Sequence, residues 1–285
     1  MSILPNPQAI MDRIDAVVLP EECVAVWFVG QESIILKGKD TIIYIDPWVS
    51  DLLERRGAKR AFQPPFSPED IRRADVCLIT HEHGDHLDEG TISVMARNCP
   101  GTQYVSPVFC RDKMLRCGVQ ENLLTNAVTG EWLAFGDARI LPIPAAHESL
   151  ETDEHGMHRY VGYLIVMNGV TIYHAGDTVV YPGLVETLKN HNIDLGLLPI
   201  NGGDFFRRER GIVGNMDYRE AAEVAVAAGI ETIIPLHYDG FSANGEKPGH
   251  FVQYLFENHP YQKVHVMAQA ERFIYISPRA FVSNQ

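Results

Sequence analysis

Three histidines and one aspartate stand within six residues of one another, at His81, His83, Asp85 and His86. They follow the run 76–80, whose short and uniformly apolar sequence predicts a strand buried on both faces. A loop at the carboxyl end of such a strand can turn several side chains toward one point. Imidazole and carboxylate groups clustered in this way are typical of a site for one or two divalent metal ions. The alternative is a solvated loop that happens to be rich in histidine.

Three further donor side chains each follow an apolar run later in the chain, at His147, Asp177 and His237. Taken singly, each has an ordinary structural explanation: a loop residue, a turn former beside Gly176, or a histidine at the end of a strand. Together with the first cluster they make seven donors, which is about what a site for two metal ions requires. The combination therefore favours a dinuclear metal centre.

The pattern of these donors resembles the metallo-β-lactamase superfamily. The resemblance consists of HxHxDH at 81–86, then a lone histidine, a Gly-Asp pair and a strand-end histidine, and it covers roughly residues 24–277. Several stretches are more specifically similar to the L-ascorbate-6-phosphate lactonase-like branch: IDPW (45–48), THEHGDHLD (80–88), TIYHAGDT (171–178), NGGDFFRRERGIVGNM (201–216) and IPLHYDGF (234–241). The resemblance implies an α/β fold, an αββα sandwich of two mixed β-sheets flanked by helices, with the metals at the edge of the sheets.

The resemblance also implies how the donors divide between two ions. One ion would be held by His81, His83 and His147, the other by Asp85, His86 and His237, and Asp177 would bridge them. Because no cysteine is among the donors, zinc, manganese and iron all suit the site, and the branch favours zinc or manganese.

The expected chemistry is hydrolysis. Two divalent ions lower the pKa of a bridging water, so that a metal-bound hydroxide exists near neutral pH and attacks the substrate. Asp85 is the expected catalytic residue, which orients the hydroxide and passes a proton to the leaving oxygen. The most specific version is lactone opening of a sugar-acid phosphate. The alternatives are a phosphodiesterase on the same site, an iron-dependent redox enzyme of the same fold, and a binding protein without activity. The resemblance implies that the iron-dependent redox relatives carry an acid in place of the second histidine of the motif, so the intact His83 disfavours the redox enzyme. The seven donors disfavour the binding protein.

A basic segment supplies candidate contacts for an anionic substrate. The stretch 201–216 carries three arginines in an acidic protein and follows a predicted buried strand, so it could grip an anionic group. A solvated loop would look the same. The expected substrate-binding residues are Asn201, Arg207, Asn215 and Tyr238.

Composition limits the classes of partner. The 285 residues include 24 Lys and Arg against 37 Asp and Glu, a net charge of −13, which argues against a nucleic-acid partner. No stretch approaches the roughly 20 apolar residues of a membrane span, and the first residues lack the layout of a secretory signal. We therefore expect a cytoplasmic single-domain protein, residues 1–285 with a core of about 24–277, without a membrane partner. The tail 280–285 leaves a homo-oligomer open, and the five cysteines, which form no CxxC pair, are expected to be reduced.

The elements that must position the donors are predicted from the spacing of apolar and turn residues. Trp27 and Trp132 are assigned to the core and Trp48 to the wall of the site. His174 is assigned to the core or to a supporting position beside a metal-ligating residue, and not to the ligands themselves. Predicted strands cover 24–30, 33–38, 41–47, 76–80, 103–107, 123–128, 131–135, 138–146, 160–169, 170–178, 193–200 and 231–238, and predicted helices cover 67–75, 91–98, 183–191 and 217–229.

Overall fold

Two seven-stranded sheets pack face to face, with helices on their outer faces. The computed structural model describes residues 6–282, so the first five residues and the last three residues of the tail lie outside the described part. The αββα sandwich expected from the sequence is confirmed. The strands are β1 (Cys23–Gly30), β2 (Ser33–Lys37), β3 (Ile42–Ile45), β4 (Val76–Leu78), β5 (Gln103–Ser106), β6 (Leu124–Asn126), β7 (Leu133–Phe135), β8 (Ala138–Pro144), β9 (Val161–Met167), β10 (Val170–His174), β11 (Leu195–Pro199), β12 (Thr232–Leu236), β13 (Lys263–Val264) and β14 (Arg272–Ile276). The strand order is β14-β1-β2-β3-β4-β5-β6 in the first sheet and β13-β12-β11-β10-β9-β8-β7 in the second.

Strand β1 shows how the sequence builds the layers. Val24, Val26 and Phe28 pack into the core between the sheets, whereas Ala25 and Trp27 pack under the outer helices. This alternation follows from the two-residue period of a strand. The strand is apolar throughout because both of its faces are covered.

The helices are α1 (Pro7–Ala16), α2 (Leu52–Arg55), α3 (Glu89–Asn98), α4 (Arg111–Arg116), α5 (Leu184–Lys189), α6 (Phe205–Arg208), α7 (Tyr218–Ala228) and α8 (Pro248–Asn258).

Strand direction brings the donors to one edge of the sandwich. In the first sheet β3 and β4 are parallel, and β1 runs the same way because it is antiparallel to β2, which is antiparallel to β3. In the second sheet β10, β11 and β12 are parallel, and β8 shares their direction through β9. The loops after β1, β3, β4, β8, β10 and β12 therefore meet at one edge. They carry the candidate metal donors and the side chains that contact those donors.

The predicted helix at 67–75 is wrong beyond its first turn. Ser67 and Asp70 form a capping box, but the helical turn covers only Pro68–Asp70. The chain then extends because Asp75 is already paired with strand β3: its amide donates to the Ile42 carbonyl and its carboxylate accepts from the Ile42 amide. A continued helix could not reach this register.

Other differences concern the edges of the fold. Trp132 is 43% exposed rather than in the core, because it precedes the edge strand β7, where the Arg139 guanidinium lies 5.0 Å from its ring centre. The helices α1, α2, α4, α6 and α8 and the strands β13 and β14 were not predicted. Within the described residues the cysteines are free and buried, and no helix there is long and apolar enough to cross a bilayer.

Helix α7 is predicted correctly and provides a test of local stability. Asp217 accepts hydrogen bonds from the Arg219 and Glu220 amides, Glu220 bonds back to the Asp217 amide, and Gly229 ends the helix at φ +72°. We expect Asp217→Ala to lower the free energy of unfolding by about 1 kcal/mol, because two helical amides lose their acceptor. Urea unfolding measures this, with exposed Gln253→Ala as the control. An unchanged midpoint for Asp217→Ala would contradict the capping role.

Candidate metal centre

Seven side chains from both sheets converge at the shared edge. The loop after β4 supplies His81, His83, Asp85 and His86, while the ends of β8, β10 and β12 lead to His147, Asp177 and His237. Donor atoms lie within 4.8 Å of one another in three groups, which are His81, His83 and His147; His81, His86 and Asp177; and Asp85, His86 and His237. The structure thus brings together all seven donors that the sequence indicated.

Three imidazoles form the first half of the site. His81 Nε2 lies 2.9 Å from His83 Nδ1, and the His147 ring centre lies 5.4 Å from that of His81 and 5.1 Å from that of His83. His83 is exposed at the mouth, whereas the other two are buried. Three nitrogens gathered in this way could hold one divalent ion.

Asp177 links the two halves. Its Oδ1 lies 3.3 Å from His86 Nε2 and 3.2 Å from His237 Nε2, and its Oδ2 lies 3.8 Å from His147 Nε2. The carboxylate therefore faces both donor groups, as a bridging ligand must. Gly176 permits this approach, because its φ is +59° and a Cβ there would lie 2.9 Å from the Val161 carbonyl oxygen.

A buried network fixes the orientation of His86. His86 Nδ1 lies 2.7 Å from Asp46 Oδ2, and Asp46 also accepts hydrogen bonds from the Thr80 hydroxyl at 2.6 Å and the Thr80 amide at 2.8 Å. Asp46 is fully buried. Since its Nδ1 donates to Asp46, His86 keeps Nε2 free to act as a ligand, which is the arrangement common to metal-binding histidines.

The electrostatics of the metal-free site favour neutral His81 and His147, a charged His86 and an ionised Asp177. Burial lowers the pKa of His147 to about 4, and burial and the neighbouring His86 hold the pKa of His81 well below its usual value. For His86, burial alone would lower the pKa, but Asp177, Asp85 and Asp46 hold it well above the usual value. Burial would raise the pKa of Asp177, yet His237 and His86 hold it well below the usual value. His81 and His147 are therefore neutral and Asp177 is ionised at neutral pH.

Unpartnered buried atoms show that the residues fit a metal. His86 Nε2, His147 Nδ1 and Asp177 Oδ1 are buried and make no well-aligned hydrogen bond among the described residues, although His86 Nε2 and Asp177 Oδ1 lie only 3.3 Å apart. Such orphaned atoms are costly unless a ligand satisfies them. A nitrogen and oxygen donor set without cysteine suits zinc, manganese or iron.

Uncommon backbone conformations surround the centre. Gln31, Asp46, Glu148 and His237 all have positive φ, of +58°, +45°, +73° and +55°. Each such residue costs of order 1–3 kcal/mol and persists only where the surrounding structure enforces it. The edge of the sandwich is therefore built to hold these side chains in place.

Five of the seven donors line a cleft of about 390 Å³, namely His83, Asp85, His147, Asp177 and His237. Its far wall is largely apolar, and the residues around it are Gly211, Ile212, Val213, Phe241, Ala243 and Asn244. Trp48, assigned to the wall from sequence, is instead fully buried, and its ring centre lies 5.1 Å from that of Phe241. It therefore supports the wall from behind.

The structure does not place the predicted substrate-binding residues on this cleft. Asn201 is buried and donates to Asn244 Oδ1. Arg207 pairs with Asp204 and donates to the Asn201 carbonyl. Tyr238 donates to the Met267 carbonyl at 3.3 Å. These side chains hold the loops together, and their polar character alone did not separate that role from substrate contact.

Asn215 and His174 also lie away from the cleft. Asn215 faces a neighbouring hollow of about 320 Å³ with Glu148 and Arg208. His174 is fully buried, accepts from the Gly176 amide, and lies 2.9 Å from the Glu32 carbonyl. His174 thus supports the turn that carries the candidate metal ligand Asp177 and is not itself among the candidate ligands.

The chain is similar in sequence and in fold to several known proteins. The beta-lactamase superfamily domain matches residues 41–238. A UPF0173 metal-dependent hydrolase of Pyrococcus furiosus is 30% identical over 238 residues, covering 82% of this chain and 93% of the relative. A probable L-ascorbate-6-phosphate lactonase of Escherichia fergusonii is 26% identical over 253 residues, covering 76% and 70%. Among solved structures, the metallo hydrolase Igni18 of Ignicoccus hospitalis has a TM-score of 0.67 at 23% identity and covers 89% of this chain and 98% of its own.

Fold, site and comparisons define the class of protein. The chain belongs to the metallo-β-lactamase superfamily and is a metal-dependent hydrolase of that superfamily. Its similarity to the UPF0173 hydrolases extends over more of both chains than its similarity to the lactonase.

Proposed function

We propose that this protein holds two divalent ions and hydrolyses a small carboxylic ester, with a lactone as the favoured substrate. The observation that carries the proposal is the convergence of seven donors at one edge of the sandwich, five of which line one cleft and three of which have buried atoms without a hydrogen bond. Support for a lactone comes from the similarity to a probable lactonase. Zinc and manganese are the proposed ions.

The ions, when bound, polarise the carbonyl of the substrate and make water acidic enough to act as the nucleophile. His81, His83 and His147 would hold one ion, Asp85, His86 and His237 the other, and Asp177 would contact both. Asp85 lines the cleft, and its side chain is 15% exposed. It is therefore placed to accept a proton from the attacking water and return it to the leaving oxygen.

The wall of the cleft favours a substrate whose remainder is neutral. The lining residues include no lysine or arginine among those the structure describes. Asn244 is the one polar side chain among the described residues of the far wall, and its Oδ1 already accepts from Asn201. Desolvating a phosphate without a cationic partner is costly, so we place the phosphorylated lactone second to an uncharged one.

A substrate panel tests the proposed reaction. An uncharged alkyl lactone, a sugar-acid lactone phosphate and bis(p-nitrophenyl) phosphate are assayed with the metal-loaded protein before and after treatment with a chelator. We expect the highest kcat/KM for the uncharged lactone and loss of turnover with the chelator. Higher kcat/KM for the phosphodiester would overturn the lactonase proposal in favour of a phosphodiesterase.

A charge placed on the wall tests the substrate preference. Ile212→Arg adds a guanidinium to the cleft, and a charged hydrogen bond to phosphate is worth roughly 1.5–3 kcal/mol. We expect the ratio of kcat/KM for the phosphorylated lactone over the uncharged lactone to rise by about tenfold or more. Val252→Arg, on exposed helix α8, is the matched control. An unchanged ratio for Ile212→Arg would show that the wall does not contact the variable part of the substrate.

A further inference from the structure

Gln31 places its side-chain amide among the donors of the second metal position. The residue lies in the turn after β1 and is fully buried. Its Nε2 is 3.0 Å from Asp85 Oδ2 and 2.8 Å from His237 Nε2. Two of the three side chains that would hold the second ion are therefore in contact with this one amide.

The chain holds Gln31 in place from the opposite sheet. The backbone amide of Gln31 donates to Asp239 Oδ1 at 2.8 Å, and the backbone carbonyl of Gln31 accepts from the backbone amide of His237 at 3.1 Å. Both Gln31 and His237 have left-handed backbones, so the two turns are locked together in a conformation that costs energy in each. Gly240 completes the clamp, because a Cβ there would overlap Gln31 Oε1.

The amide oxygen of Gln31, Oε1, is buried and makes no hydrogen bond among the described residues, so exchanging it with the nitrogen breaks none at that end of the amide. A glutamine amide keeps its shape when it turns over by 180°, which exchanges its oxygen and its nitrogen. Nitrogen toward Asp85 suits the carboxylate when no cation is near. Oxygen in the same position would suit a divalent cation, for which amide oxygens are known ligands.

We propose that Gln31 is an additional ligand of the ion held by Asp85, His86 and His237, and that its amide turns over to present Oε1 when that ion binds. This proposal rests on the proposed dinuclear site. It gives the second position a neutral oxygen donor, whereas the first position has three imidazoles. Variants of Gln31 should therefore lower the affinity for the ion at the second position.

Metal titration of the purified protein tests the proposal without any substrate. Zinc binding is followed by calorimetry in competition with a chelator, and cobalt binding by its visible absorption. We expect Gln31→Asn, whose shorter amide does not reach, to weaken the second binding step by about 10–100-fold and to leave the first unchanged. The cobalt spectrum of the second step should change in the same variant. Asparagine tolerates the left-handed backbone, so the fold is preserved, and exposed Gln253→Asn is the control.

Gln31→Glu separates the two roles that the amide can play. A carboxylate still offers an oxygen ligand but cannot donate to Asp85. We expect Gln31→Glu to bind the second ion at least as tightly as the natural protein. Equal weakening in Gln31→Glu and Gln31→Asn would overturn ligation in favour of a hydrogen-bonding role, and unchanged binding in Gln31→Asn would also overturn it. Lactone turnover is measured separately, so failure of the proposed reaction leaves the binding result intact.

Discussion

Asp177→Asn is expected to lose bound metal and at least about 10³-fold in hydrolytic turnover. Asp177 faces His86, His237 and His147 and is the carboxylate that would bridge the two proposed ions. An amide keeps the shape but removes the negative charge that offsets the charge of the ions. Metal-ion catalysis supplies several kcal/mol, and about 4 kcal/mol corresponds to about 10³-fold in rate. Elemental analysis and steady-state kinetics on the same preparation measure both effects.

The control for this variant is Asp112→Asn, on the exposed surface of helix α4. It changes the net charge equally and should keep both metal and turnover. Circular dichroism of the two variants establishes that the fold is retained. Full metal content together with near-normal turnover in Asp177→Asn would show that this carboxylate does not bridge the ions.

Asp46→Asn is expected to lower metal affinity and turnover by about 10–100-fold although Asp46 would not touch the metal. Asp46 accepts from the Thr80 amide, the Thr80 hydroxyl and His86 Nδ1. An asparagine offers one oxygen and one NH₂ group, so at least one of these donors would face another donor. His86 then loses the bond that fixes its ring, and changes of this kind typically cost 10–100-fold in affinity or activity. Metal titration and kinetics test the expectation.

Asparagine is suited to this position because it tolerates positive φ, so the turn at Asp46 keeps its backbone conformation. Asp75→Asn provides the control: Asp75 also accepts a backbone hydrogen bond, from Ile42 in the same sheet, but lies at the start of β4 rather than at the site edge. Asp75→Asn should leave metal affinity unchanged. Equal effects of the two variants would show that Asp46 acts through general stability.

The metal donors could be predicted because each follows an apolar run whose end must reach an edge of a sheet. His147 and His237 lie far apart in sequence, yet parallel strand direction carries both to the edge where the loop after β4 lies. The same reasoning explains why most strands were found. The helix predicted at 67–75 was wrong because strand pairing at Asp75 overrides a good local helix start.

The supporting residues could not be predicted, since their roles depend on pairings between the sheets. Gln31 is one polar residue in a turn, and only its contact with Asp85 and His237 marks it. Asp46 stands in the predicted IDPW stretch, but nothing in the sequence joins it to His86. Arg207 illustrates the opposite error, because a surface charge near a site looks the same whether it binds a ligand or, as here, the Asn201 carbonyl.

The metal content of the protein purified without added metal, measured by elemental analysis before and after exhaustive chelation and reloading, tests the central claim most directly. We expect close to two zinc or manganese ions per chain. Chelation should remove the ions and abolish lactone turnover, and reloading the metal should restore both. A chain that binds no metal, or one that holds a single iron and consumes oxygen instead of opening lactones, would contradict the dinuclear hydrolase.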